Sequence, residues 1–401
     1  MSMALAVSVG LFAAGSLVLA PASRSDRAFY RGSVDAAGAP GLWTLTLSLV
    51  TTWIFARSLL NAAILGFVYG PWGTLAYAGY YLSFLTGARI VDSVRFRHGC
   101  TSIQDFLARR FGRVGTWSYN LVIAVRLLSE VFANLLVIGI LFGQTGSAAA
   151  IWSMVAFALV ALIYSARGGL QASLRTDVLQ MLLFIVVLLI LGVLALADPV
   201  IAAGGPGFGG FAVPLDDPGP VLLVVALLQV WSYPMHDPVM MDRGFLSDRR
   251  TTWRAFHHAA WISILCIMAF GWLGVLAGLH AQDGEDVQAT LTRLLGAWPM
   301  LLFALALAIS AMSTLDSALA SVARLLAVET GLMPATIRNG RIVMALFMLL
   351  GLVLSIWGTS SLYAAVAVSG TASMYLVPVI VYSVWLDRPV PVWSYLCSLV
   401  L

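Results

Sequence analysis

Apolar runs of about 20 residues recur along almost the whole chain, each long enough to cross a hydrocarbon core of roughly 30 Å. In lipid every backbone polar group must be paired inside its own element, which a helix achieves and an open strand does not. Of the 401 residues 61% are hydrophobic and only 10% charged, so the sequence predicts an all-α polytopic membrane protein. The spans read as residues 3–20, 41–69, 70–92, 116–143, 148–166, 177–197, 219–240, 255–280, 297–327, 339–357 and 361–385, with the start of a further helix over 390–401. Residues 3–20 run into Ala-Pro-Ala-Ser-Arg, which looks like a signal-peptide end, but no charged segment precedes them, and they are read as a retained first span.

The charges sort the loops. All 22 basic side chains are arginine, against 18 acidic ones. Nearly all loop arginines fall in residues 24–31, 89–113, 167–175, 243–254, 324–341 and at Arg388, whereas the alternate loops, 144–147, 198–218, 281–293 and 358–360, hold only Arg293. The positive-inside rule places the first set in the cytoplasm and the N-terminus outside. Because the basic excess lies in short connectors rather than in a patch interleaved with aromatics, nucleic acid is not an expected partner. Cys100, Cys266 and Cys397 are scattered, so a zinc or redox centre is not expected. No glycine-rich phosphate loop and no nucleophile–base–orienter arrangement is recognisable, which argues against ATP use and against an enzyme.

Several spans carry more polar chemistry than a membrane segment needs. Leu305 to Leu326 contains Ser310, Ser313, Thr314, Asp316 and Ser317. Ser310, Ser313, Thr314 and Ser317 recur at three- and four-residue spacing and so share a helix face, where their oxygens can converge on a small hard cation. The same hydroxyls can instead bond back to the preceding turn or let helices approach closely. In span 41–69, Thr51, Thr52, Arg57, Ser58 and Asn61 interrupt an apolar run, and a mid-span arginine needs an ionic partner or a hydrated cavity. Arg126, Glu130 and Asn134 stack at four-residue intervals, as an internal ion-pair network that Arg57 could complete. Gly168 and Gly169 allow a tight turn, after which Thr176 or Asp177 could cap the next helix. Pro234 and Pro238 bracket Met235, His236 and Asp237 and interrupt their span; His236 is either a proton-linked group or the local hydrogen-bond partner of Asp237.

Four stretches, taken together, resemble the sodium/solute symporter family, which includes bacterial proline, pantothenate, sialic acid and sugar symporters. They are Gly168-Gly169-Leu170-Gln171-Ala172-Ser173-Leu174-Arg175-Thr176-Asp177-Val178-Leu179-Gln180, the run from Thr101 to Gly112, the run from Asp242 to Ser247, and Met312-Ser313-Thr314-Leu315-Asp316-Ser317. The resemblance implies the inverted five-helix repeat fold of the bacterial leucine transporter, with repeats at residues 41–197 and 219–385 and one extra span in front. It also implies a sodium ion held by the hydroxyls of Ser313 and Thr314 with the carbonyls of Ser310, Thr51 and Ile54, and a cation exit path past Asp177. Substrate would lie near Trp53, Arg57 and Ser58, with Gln229 and Trp231 from the second repeat. The activity implied is sodium-coupled import of a small organic solute across the inner membrane by alternating access. A sensory module of the same fold and a proton-coupled carrier are the rival readings. Trp53, Phe55 and Arg57 depart from the small or polar residues usual in the family, and a buried arginine favours a carboxylate-bearing solute.

Overall fold

The structure is a computed structural model in which residues 2–32, 38–197, 199, 213–357 and 372–400 are described. Loops 198–218 and 358–360 and span 361–385 fall partly or wholly outside the described residues. Regular structure among the described residues is helical, with no β-strand. The helices are α1 (Ser2–Leu19), α2 (Asp26–Arg31), α3 (Leu42–Trp53), α4 (Ala56–Gly79), α5 (Ser83–Val91), α6 (Ile103–Phe142), α7 (Ala148–Ala197), α8 (Pro218–Gln229), α9 (Tyr233–His236), α10 (Pro238–Gly244), α11 (Arg249–His280), α12 (Val287–Leu295), α13 (Ala297–Arg324), α14 (Ile337–Trp357) and α15 (Val392–Val400). Among the described residues, six continuous helical stretches are long and apolar enough to cross a bilayer: Ala56–Arg97, Ile103–Phe142, Ala148–Ala197, Arg249–His280, Ala297–Glu329 and Ile337–Trp357.

Two of these stretches are more than one span. In α7 the Tyr164 hydroxyl lies 2.7 Å and the Thr176 hydroxyl 3.1 Å from the same oxygen, Oδ2 of Asp316. Twelve residues of straight helix would separate them by about 18 Å, so the chain doubles back between them. It does so at Gly169, whose φ of 53° and ψ of −137° reverse the helix without a loop. Because helix resumes at once, Thr176 and Asp177 sit inside it and cap nothing, contrary to the sequence expectation: Thr176 bonds back to the carbonyls of Ala172 and Ser173. Gly70, with φ 58°, divides α4 at the boundary expected between the second and third spans.

The arginine-rich connector 89–113 also differs from its reading as a hydrophilic loop. Helix runs through Asp92–Arg97 and restarts at Ile103, where the Ser102 hydroxyl accepts from the Asp105 amide. Arg89, Arg97, Arg109 and Arg113 are exposed and Arg95 bonds to the Gly244 carbonyl, while Val94, Ile103, Phe106 and Leu107 are buried, the pattern of an amphipathic surface helix.

The span expected over 41–69 is broken between α3 and α4. Ile54 leaves the helical region (φ −86°, ψ 82°), and its amide makes the last α3 backbone bond, to Val50 at 2.9 Å. The carbonyls from Thr51 onward are thereby released from helical pairing. The segment 230–237 is the second break, set by Pro234 and Pro238; Asp237 then caps α10 through the Met240 amide at 2.8 Å. The two breaks face one another, since Trp53 Nε1 donates to Asp237 Oδ2 at 2.9 Å.

Candidate ion and solute site

Helix α13 runs through the middle of the bundle, with every residue from Ala306 to Arg324 buried. Its polar side chains therefore face protein rather than lipid, as their desolvation cost requires. The Ser310 hydroxyl makes a close hydrogen bond to the Ile54 carbonyl at the break in α3, and Thr314 Oγ1 donates to the Ser310 carbonyl at 2.9 Å. Ser313 Oγ donates to Asp177 Oδ1 at 2.8 Å. The structure thus links Ile54, Ser310 and Thr314, with the freed Thr51 carbonyl one turn back on α3, while the Ser313 hydroxyl is turned to Asp177. Neutral carbonyl and hydroxyl oxygens converging from two elements suit a hard monovalent cation, so this donor set fits sodium.

A second polar cluster lies next to it. Arg243, on α10 and wholly buried, directs its guanidinium to four side chains, Ser48 Oγ at 2.7 Å, Ser317 Oγ at 2.8 Å, Ser173 Oγ at 3.1 Å and Asp177 Oδ2 at 3.2 Å, and to the Val239 carbonyl at 3.3 Å. Ser48 Oγ also donates to Asp177 Oδ2 at 2.5 Å. Asp316 accepts from Tyr164, Thr176, Ser173 and Ser317 at 2.7 to 3.1 Å. The two carboxylates are thus clothed entirely by donors, and one arginine joins α3, α7, α10 and α13. Arg243 lies within the run from Asp242 to Ser247, where no role for it is apparent from sequence. An arginine amid Val239, Met240 and Met241 announces a partner, but nothing in the spacing shows that the partner is 66 residues away.

The residues proposed for the solute divide. Trp53 is buried against Tyr81, Phe84 and Tyr233, with ring centroids 4.8 to 5.5 Å apart. Ser58 and Gln229 are buried, and Oε1 of Gln229 has no hydrogen-bond partner among the described residues. Trp231 stands apart: it is 47% exposed and packs edge-on against Trp385 at 5.8 Å. Its indole is thus not part of the Trp53 cluster.

Arg126 does pair with Glu130, at 2.5 Å, while Asn134 Nδ2 bonds only to the Glu130 backbone carbonyl at 2.9 Å. The further members of the network are Asp237, 3.4 Å from Arg126, and the Tyr233 hydroxyl at 3.0 Å, rather than Arg57. Arg57 is 3% exposed, and its Nε and Nη1 have no hydrogen-bond partner among the described residues. His236 does not pair with Asp237, whose oxygens are taken by Trp53, Met240 and Arg126; His236 Nδ1 is likewise unpartnered among the described residues.

The fold is leucine-transporter-like. Similar solved structures include a Na+-coupled sialic acid symporter in a substrate-bound outward-open state, with TM-score 0.75 and 15% identity over 95% of this chain and 86% of that one. Mhp1, a nucleobase-cation-symport-1 family transporter closed around bromovinylhydantoin, gives 0.61 and 16% over 88% of this chain and 82% of its own. MhsT in complex with L-phenylalanine gives 0.63 and 14% over 89% and 94%. At these identities the likeness is one of fold. No protein-family model matches the chain.

Proposed function

We propose that the protein is a sodium-coupled symporter that imports a small organic solute by alternating access. The observation that carries this reading is the bond from Ser310 to the Ile54 carbonyl released where α3 breaks, with Thr314 joined to the Ser310 carbonyl beside it, since interrupted helices at mid-membrane are where such transporters hold their ions. Sodium would be held by the hydroxyls of Ser313 and Thr314 and the carbonyls of Ser310, Thr51 and Ile54. Solute would lie between the facing breaks, against Trp53, Arg57, Ser58 and Gln229. Binding of the ion draws α3 toward α13; coupling follows if the two orientations of the transporter hold sodium with different affinity. Residues 41–197 and 219–385 are the two inverted repeats in this reading, with the N-terminus outside.

Asp177 belongs to the inward route, where its bonds to Arg243 and Ser48 act as a latch that must part before sodium leaves to the cytoplasm. Equilibrium binding of radioactive sodium to the purified protein tests the ion site without knowledge of the solute. Wild type should bind saturably, and Thr314→Ala should weaken binding by roughly ten-fold or more, the loss usual when even an outer partner of a metal site is removed. Absence of saturable binding in wild type, or an unaltered isotherm in the variant, would overturn the assignment.

A further inference from the structure

Away from that site, a cavity of 470 Å³ opens beside the start of α11, lined by Asp92, Arg249, Arg250, Trp253 and Arg254. Its one carboxylate is already used: Arg249 grips Asp92 through Nε at 2.5 Å and Nη2 at 2.8 Å. The side chains of Arg250 and Arg254 make no hydrogen bond or ion pair among the described residues, which leaves the cavity with two unpaired guanidinium groups. They lie one turn apart, so both guanidinium forks can address one tetrahedral anion.

What lies below the arginines identifies the anion. Along α11 the outward stripe continues from Arg250 and Arg254 through Trp253, which is 41% exposed, to Trp261 at 56% and Leu265 at 69%. Arg254 to Leu265 spans about 16 Å of helix, far enough to pass from the headgroup layer into hydrocarbon. The order is guanidinium, then indole, then aliphatic surface, matching the order of phosphate, glycerol and acyl chain in a lipid. A free phosphate would use the first part only.

We infer that this groove is a binding site for the phosphate headgroup of an anionic phospholipid, whose acyl chain lies along Trp261 and Leu265. The inference requires only that α11 faces the bilayer and is independent of the coupling ion. The test titrates the purified, delipidated full chain with phosphatidylglycerol, phosphatidylcholine or inorganic phosphate and follows thermal unfolding. Phosphatidylglycerol should raise the melting temperature saturably, with half-saturation at a roughly 30-fold lower lipid fraction than phosphatidylcholine, from about five-fold for each of two arginines near an anionic lipid. Arg250→Gln combined with Arg254→Gln should melt like wild type without lipid and lose that preference, while the paired Lys substitutions keep most of it. Equal responses to the two lipids, or a preference that survives in the Gln pair, would refute the site. A shift of equal size with inorganic phosphate alone would make it a free-anion site and overturn the lipid assignment.

Discussion

Arg243 and the carboxylate of Asp177 sit 3.2 Å apart with neither exposed. In such a pair the cost of removing one member exceeds what the pair itself contributes, because the remaining charge stays buried without compensation. Arg243→Leu should therefore cost about 3–5 kcal/mol of stability, read as a lowered melting temperature, and adding Asp177→Asn should recover a large part of that loss. Recovery by Asp316→Asn instead would assign the counter-charge to the other carboxylate. The serines and threonine of α13 could be read from sequence because their three- and four-residue spacing encodes a face. The Arg243 partnership could not, since contacts between α10 and α7 are made by the tertiary fold alone. Trp231 shows the converse failure: it lies two residues from Gln229, a spacing that points side chains away from one another on a helix, and one is buried while the other is exposed.

Helix pairing obeys a simpler rule. α4 and α11 approach until their backbones touch, and a Cβ at Gly274 would run into the Ala63 carbonyl while one at Gly66 would run into that of Gly271. Small residues permit such contact in membranes, where association relies on close packing. Gly274→Leu should prevent the two helices from docking and leave little folded, monodisperse protein in size-exclusion chromatography; a normal profile would show that the bundle tolerates several ångströms of separation there. Most helices were legible, because each apolar run has one cause, the thickness of the bilayer. The connector 89–113 was not, because arginine content marks contact with water and is silent about helicity. The Ile54 break was not legible: no proline or glycine marks it, and its geometry is held by Tyr81, whose hydroxyl bonds to the Trp53 carbonyl at 3.1 Å, and by the Trp53–Asp237 bond.

For the molecule as a whole, the arginine asymmetry of the loops makes a prediction about sidedness. With Cys100, Cys266 and Cys397 replaced by alanine, a cysteine at Asp283 should react with an impermeant maleimide on intact cells. One at Ala335 should react only after the membrane is opened. Both positions are exposed in loops, so the reverse pattern would invert the orientation, and with it the direction of transport proposed above.

The reversal at Gly169 bears on how this molecule can deform. Two membrane-spanning arms joined through a single residue have almost no slack, and both are fastened to Asp316, one by Tyr164 and the other by Ser173 and Thr176. A wedge closed at its apex and bolted across its arms behaves as one stiff piece, so α13 and α7 form a fixed frame. Asp316 is two residues beyond Thr314, which puts one wall of the proposed ion pocket on that frame. The opposite wall, at the Ile54 break, rests on side-chain hydrogen bonds from Ser310, Tyr81 and Trp53. Widening of the proposed pocket would then be a swing of α3 about its own joint, once its Ser48 bonds to Asp177 and Arg243 part, with the hydroxyl-bearing wall as the stationary jaw.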